Sequence, residues 1–217
     1  MRGFDARLHD VWARGRESVD HYFRERPDLP SRPRTFHFRV GARTLQFTAD
    51  HGVFSKDGVD FGSALIIETV IVPQGARVLD LGAGYGAIGL SLAALYPHAR
   101  LTLVEINARA VQLAAANARQ NGLSNVRVLW SDGTHAVRGE AFDVVVTNPP
   151  IRAGKAVVFR LYREAADVLV AGGSLWTVVQ QKHGADSHAR ALEAIFGAVT
   201  RVRRKKGYQI LQAVKSE

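Results

Sequence analysis

The sequence contains no cysteine. That absence excludes disulfides, thiolate nucleophiles, iron–sulfur ligation and cysteine-based zinc sites together. Histidine does not take over: of the 8 histidines, His183 and His188 lie nearest one another, with no carboxylate or further imidazole cluster at ligand spacing. Surface or capping roles are expected of them, and no metal. Also missing is any apolar run of the roughly 18 residues that a membrane-spanning helix needs. The charged start Met1-Arg2-Gly3-Phe4-Asp5-Ala6-Arg7 lacks the apolar stretch of a secretory signal. A cytoplasmic protein without a membrane partner is therefore expected. Acid is scarce: 20 Asp and Glu face 29 Lys and Arg, a net charge of +9 with a pI of about 10.3. Such an excess suits an anionic partner such as nucleic acid, although a compositional preference for arginine produces the same balance.

What is present suffices for one principal domain, because 217 residues at 47% hydrophobic content can bury a substantial core. Residues 1–34 read as a helical arm followed by a tether rich in proline and arginine, which cannot continue a helix. Packing on the main domain and contact with RNA remain equally open for this arm. The main domain is expected over 35–217. It begins with a β-hairpin, Thr35–Val40 and Thr44–Thr48, in which apolar and polar residues alternate around Gly41-Ala42-Arg43. A glycine-punctuated loop follows, from His51 to Gly62, with two aromatics, a hydroxyl and acids. Residues 63–70 then read as an apolar helix.

From Arg77 onward strands and helices alternate. Strands are predicted to end at Asp80 and over 101–105, 126–130, 142–147, 174–179, 198–203 and 208–214. Helices are predicted to end at Leu95 and over 107–121, 155–170 and 189–196, the second capped by Asn107 and stopped by Gly122. Repeated βα units imply an α/β, Rossmann-like, mostly parallel sheet with helices on both faces, whose ligands gather outside the carboxyl ends of the strands. The last two strands, joined across Arg204-Lys205-Lys206-Gly207, must run antiparallel.

The first of these strands, Arg77-Val78-Leu79-Asp80, breaks into closely spaced glycines. At Gly82, Ala83, Gly84 and Gly86 a ligand can lie against the backbone, with the N–H groups of a helix end beyond. Gly82, Gly84 and Ala87 also satisfy the dinucleotide fingerprint, with Glu105 at the spacing of a ribose-binding acid, so the glycines leave NAD and S-adenosylmethionine both open. Asp80 favours the methyl donor: a carboxylate there repels a pyrophosphate but pairs with a cationic amino-acid end. Glu105 offers two acceptors to adjacent ribose hydroxyls, and Ile106 beside it can cover an adenine face. Asp132, followed by Gly133, is placed to accept from the adenine amine.

Thr147-Asn148-Pro149-Pro150 closes another strand. The prolines fix the backbone and push Asn148 into an extended conformation, so its side-chain carbonyl and the Pro149 carbonyl can aim at one spot. Two acceptors at fixed spacing match the two hydrogens of a planar amine, and aim its lone pair at a methyl donor. Asn148, Pro149 and Pro150 are the catalytic candidates, with Asn148 also beside the cofactor. A protein glutamine amide presents the same geometry as a base amine, so both acceptors are open. So are a Rossmann-like binding module without turnover and an NAD-dependent oxidoreductase.

The run from Asp80 to Gly86, with Glu105, Asp132 and Asn148-Pro149-Pro150, resembles the class I S-adenosylmethionine-dependent methyltransferases that modify exocyclic or amide nitrogens. More narrowly, His21-Tyr22-Phe23, Gly52-Val53-Phe54-Ser55, Val59-Asp60-Phe61-Gly62 and Asn148-Pro149-Pro150-Ile151-Arg152-Ala153-Gly154-Lys155 resemble the small-subunit ribosomal RNA guanine-N(2) methyltransferase family (RsmC-like catalytic domain). The resemblance implies a seven-stranded sheet with its last strand antiparallel and transfer to a guanine amine. It further implies an RNA partner, as ribosomal RNA or a ribosomal subunit, and substrate contacts from Phe54, Ser55, Asp60, Phe61, Ile151, Arg152 and Lys155. Many amino-methylating enzymes carry an aromatic where Ile151 stands, so Phe54 is expected to supply base stacking instead. A monomer is the simplest assembly for such an enzyme.

Overall fold

The computed structural model describes residues 31–50 and 58–216. Of the arm and linker expected over residues 1–34, residues 1–30 lie outside the described residues, as do the loop residues Phe54 and Ser55.

The first elements form a two-stranded antiparallel hairpin, β1 (Arg34–Val40) and β2 (Arg43–Ala49), turning at Gly41 with φ 57°. A short helix α1 (Phe61–Ile67) precedes β3 (Arg77–Leu81), α2 (Ala87–Leu95), β4 (Arg100–Glu105), α3 (Ala108–Gln120) and β5 (Val126–Trp130). β6 (Phe142–Thr147), α4 (Lys155–Val168), β7 (Leu169–Gln180), α5 (Ala185–Phe196), β8 (Val199–Lys205) and β9 (Tyr208–Val214) complete the chain. The seven strands of the main sheet lie in the order β5-β4-β3-β6-β7-β9-β8. All neighbouring pairs are parallel except those of β9, which runs antiparallel to both β7 and β8. The Rossmann-like sheet with an antiparallel last strand is thus observed.

Strand residues alternate between two cores. One face sends Val78, Leu103, Val146 and Trp176 into a cluster with α1, α2, α3 and the hairpin. The other sends Leu79, Val104, Val145 and Leu175 against α4 and α5. The hairpin is clasped as well as packed. Asn117 Oδ1 accepts from Thr48 N at 2.8 Å while its Nδ2 donates to Thr48 O and Tyr85 O, each at 3.0 Å. One turn later Asn121 repeats the exchange with Gln46 N at 2.9 Å and Gln46 O at 2.7 Å. Two amide side chains thereby supply the bonds that a neighbouring strand would give the edge of β2.

Two sequence expectations change. Helix α4 ends at Val168 rather than at 170, and β7 starts at Leu169, running through Gly172-Gly173. The glycines bulge the strand instead of ending a helix: Gly172 sits at φ 73°, and a Cβ on Gly173 would come within 2.9 Å of Val170 O and 3.1 Å of Asp143 O. His188, expected at the surface, is buried at 1% exposure. α5 begins at Ala185, so His188 shares its inward stripe with Ala189, Leu192 and Phe196. There it meets Tyr162 Oη at 2.9 Å through Nδ1.

Among the described residues, no helix is long and apolar enough to cross a membrane.

Candidate functional site

β3 delivers Asp80 to the carboxyl end of the sheet, where it is buried at 1% exposure. Its Oδ2 accepts from Gly89 N at 2.7 Å, tying the first turn of α2 to the strand. A Cβ on Gly89 would fall 2.9 Å from this oxygen, so glycine is needed for the approach. The second oxygen, Oδ1, is buried and has no hydrogen-bond partner among the described residues. Burial pushes the Asp80 carboxyl up to about 7, with the Gly89 N–H opposing and the Glu105 charge adding to the rise. A buried carboxylate oxygen with an unused acceptor is a place for a cationic donor.

Beside it the glycine turn is open. Gly82 and Gly84 adopt positive φ, at 78° and 57°, and a Cβ on either would meet no atom within 4 Å. Gly86, also left-handed at φ 95°, instead packs tightly on Leu90. The turn is braced from behind: the Tyr85 ring lies edge-on to Phe36 and Phe47 of the hairpin at 5.9 and 5.8 Å. Glu105 ends β4 with Oε2 accepting from Gly84 N and Oε1 from Asn107 N, both at 2.9 Å. Each oxygen keeps a second lone pair, so the carboxylate is oriented and still able to take two hydroxyls. Ile106 is half-buried, and its carbonyl accepts from Trp130 Nε1 at 2.6 Å.

Asp132 is ion-paired through one oxygen and keeps the other, Oδ2, without a hydrogen bond from any described residue. Arg160 of α4 donates to its Oδ1 at 2.8 Å and to Glu164 Oε1 at 2.8 Å. Glu164 in turn accepts from Thr134 N at 3.1 Å and lies against Gly133, where a Cβ would strike its Oε2. Arg160 and Glu164 were not singled out from the sequence. Their i,i+4 spacing was legible there as a helix pair, but only the folded chain brings it under the Asp132-Gly133 turn.

The opposite wall is formed by Asn148 and the start of α1. Asp60 caps that helix, its Oδ1 accepting from Gly62 N at 2.9 Å and Ser63 N at 3.1 Å. Asn148 Nδ2 donates to Ser63 Oγ at 3.0 Å and approaches both oxygens of Asp60 at 3.4 and 3.5 Å. Because a carboxylate only accepts, the edge of Asn148 that faces it must be the NH₂ group. Its Oδ1 accepts no hydrogen bond from any described residue. Thr147, immediately before, is locked to Leu81 O at 2.8 Å, so β6 and β3 hold the two walls in register.

Pro149 O already accepts from Ile151 N at 2.8 Å, about Pro150 at φ −74° and ψ 77°, an inverse γ-turn. One lone pair of this carbonyl remains for a ligand. The structure separates the other expected substrate residues. Ile151 packs on the core cluster beneath α4 and α5, while Arg152 and Lys155 are exposed. Asp60 faces Asn148, and the Phe61 ring leans on Tyr208 at 5.3 Å. Ser63 escaped the sequence reading because it sits in an apolar helix. Among the described residues, no group of three or more His, Cys, Asp or Glu is arranged to hold a metal ion.

A family model described as methyltransferase small domain matches residues 44–212. The chain belongs to this family. The chain is 43% identical over 198 residues to the uncharacterized protein YbxB of Bacillus subtilis, covering 90% of this chain and 98% of that one. It is 33% identical to the ribosomal RNA large subunit methyltransferase G of Pseudomonas putida, over 89% of this chain and 52% of that protein. The structure of a T. thermophilus 16S rRNA methyltransferase (RsmC), in complex with AdoMet and guanosine, superposes with a TM-score of 0.75 at 33% identity. That match covers 88% of this chain and 53% of the other. The chain thus spans nearly the whole of YbxB and about half the length of the two rRNA methyltransferases.

Proposed function

We propose that this methyltransferase small domain protein transfers a methyl group to the exocyclic N2 amine of a guanine in ribosomal RNA. The cofactor is S-adenosylmethionine. When bound, it supplies an electrophilic methyl carbon on a sulfonium, open to direct in-line attack by an amine. Asp80 Oδ1 would receive its ammonium, Glu105 its ribose hydroxyls and the Gly82-Gly84 turn its flank, with Ile106 and Asp132-Gly133 around the adenine. The unpaired buried oxygen of Asp80 and the open glycine turn fit such a group. A pyrophosphate would meet the Asp80 charge instead.

The observation that carries the assignment is the orientation of Asn148. With Nδ2 committed to Ser63 and Asp60, its Oδ1 is an acceptor, and with the free lone pair of Pro149 it can take both hydrogens of a planar amine. Hydrogen bonding to both hydrogens favours a pyramidal nitrogen and directs its lone pair. A guanine reaches such a site only when unstacked, from a loop or by flipping. Support for guanine comes from the guanosine named with the RsmC structure. We assign this catalytic domain to 35–217, with residues 1–34 as an appended arm.

The test is to map methylated nucleotides in both ribosomal subunits from cells with and without the protein, and to restore transfer with purified protein and tritiated cofactor. One N2-methylguanosine that disappears on deletion and returns with the protein is expected. Unchanged rRNA, or label recovered on a protein glutamine, would overturn the reading.

A further inference from the structure

The basic residues of β8 divide into two groups. Arg201 and Arg203 are neutralised within the fold, the first by Asp186 Oδ1 at 2.8 Å and the second by Glu68 Oε2 at 3.2 Å. The residues at the β8–β9 turn form no ion pair among the described residues, although the Asp186 charge reaches Arg204 at longer range. Arg204 donates only to the neutral Gln181 Oε1, at 3.2 Å, and Lys206 Nζ lies 5.3 Å over the Phe61 ring. Lys205 has no acidic partner among the described residues. All three are exposed.

The turn itself is rigid. Lys206 and Gly207 both take positive φ, at 48° and 77°, the backbone of a tight hairpin turn. Gly207 O accepts from Gln181 N at 2.7 Å, pinning the turn to the end of β7. Its placement relative to Asn148 follows from register. Thr147 pairs with Thr177, whereas Tyr208 pairs with Gln180, three residues farther along β7. The turn therefore stands roughly 10 Å beyond the end of β6, on the side where Asn148 emerges. Tyr208 packs on Phe61 at 5.3 Å, and Phe61 directly follows Asp60, which holds Asn148. Beside the turn lies a depression of about 300 Å³ lined by Gln181, Arg204, Lys205 and Lys206.

We propose that the β8–β9 turn, through Arg204, Lys205 and Lys206, is a phosphate-binding ridge for the RNA strand next to the target base. It rests on the reading of the methyl acceptor as RNA. Three exposed cations that form no ion pair among the described residues, held on a stiff turn above the amine site, fit the backbone of a strand whose base has been delivered to Asn148. Contacts of this kind position without reading sequence.

The test is the salt dependence of binding of a labelled single-stranded rRNA fragment to the full chain, by anisotropy, for wild type, Lys205→Glu/Lys206→Glu and, as control, Arg100→Glu at the opposite rim. The double variant should bind more than ~10-fold more weakly at low salt, and its log–log slope should be shallower by about 1.4, the share of two phosphate contacts. Arg100→Glu should leave the slope unchanged, and cofactor affinity should stay within twofold throughout. An unaltered slope in the double variant, an equal loss in Arg100→Glu, or no RNA binding by wild type would overturn the proposal. Methyl transfer to the same RNA is read separately. Lost slope without transfer upholds the ridge and overturns the proposed reaction, whereas transfer with an unaltered slope does the reverse.

Discussion

Asn148 Nδ2 stands 3.0 Å from Ser63 Oγ, a bond between the loop after β6 and the first turn of a helix 85 residues earlier in the chain. It fixes which edge of the amide faces the site. Ser63→Ala keeps Asn148 but loosens it, so kcat should fall roughly 10-fold with cofactor Kd unchanged. Asn148→Ala should cost on the order of 100-fold or more in kcat. Steady-state kinetics with calorimetric cofactor titration check both. Equal losses in kcat and cofactor affinity would remove Asn148 from the amine-gripping role.

Asp80 predicts a pH dependence of cofactor binding. Its carboxyl is pushed up to about 7 by burial, and a cationic ligand pairs only with the ionised form. Affinity should therefore rise with pH, approaching tenfold per unit below about 7, and level off above it. The ligand's own amino group, deprotonating near ~8, should bring affinity down again. Calorimetry of wild type and Asp80→Asn from pH 5.5 to 9 checks this, the variant losing the acid limb.

Gly84 carries a second prediction for the same wall. A Cβ there meets no protein atom within 4 Å, but at φ 57° it would occupy the face left for the ligand. Gly84→Ala should cost only about 1–2 kcal/mol of stability while weakening cofactor binding at least ~10-fold. Thermal unfolding with and without cofactor separates the two effects.

The clasp on the hairpin should be measurable. Asn117 is fully buried and makes three bonds to Thr48 and Tyr85. Asn117→Ala leaves those backbone groups unpaired, a loss on the order of 3 kcal/mol, or a fall in Tm of roughly 10 °C. Because Tyr85 sits between Gly84 and Gly86, cofactor affinity should fall as well. A Tm shift with unchanged affinity would show the clasp to be purely structural.

His188 sets an acid limit. Burial, with Lys155 and His183 adding positive charge nearby, lowers its pKa to about 4 from an unfolded value of 6.5. Between those values the unfolded chain binds the extra proton, so this contribution is complete above 6.5 and is lost as pH falls toward 4. Tm should drop across that window, and less steeply in His188→Gln.

The sequence by itself determined the βα order, the antiparallel end, Asn107 as a cap and the two motifs that line the candidate site. These are local: strand period, glycine conformational freedom and proline stiffness act within a few residues. It misread Gly172-Gly173 because a bulge and a helix stop use glycine for the same reason, and His188 because one residue of an amphipathic stripe is too little to show burial. Only the tertiary structure decided that Asp60 and Ser63 face Asn148, that Arg160 holds Asp132, and that the hairpin braces the glycine turn. Each of these joins groups separated by tens of residues, and their meeting is set by how the sheet stacks its strand ends. The sequence fixes no such distance, since any one of these side chains is equally compatible with solvent until its partner is brought within reach.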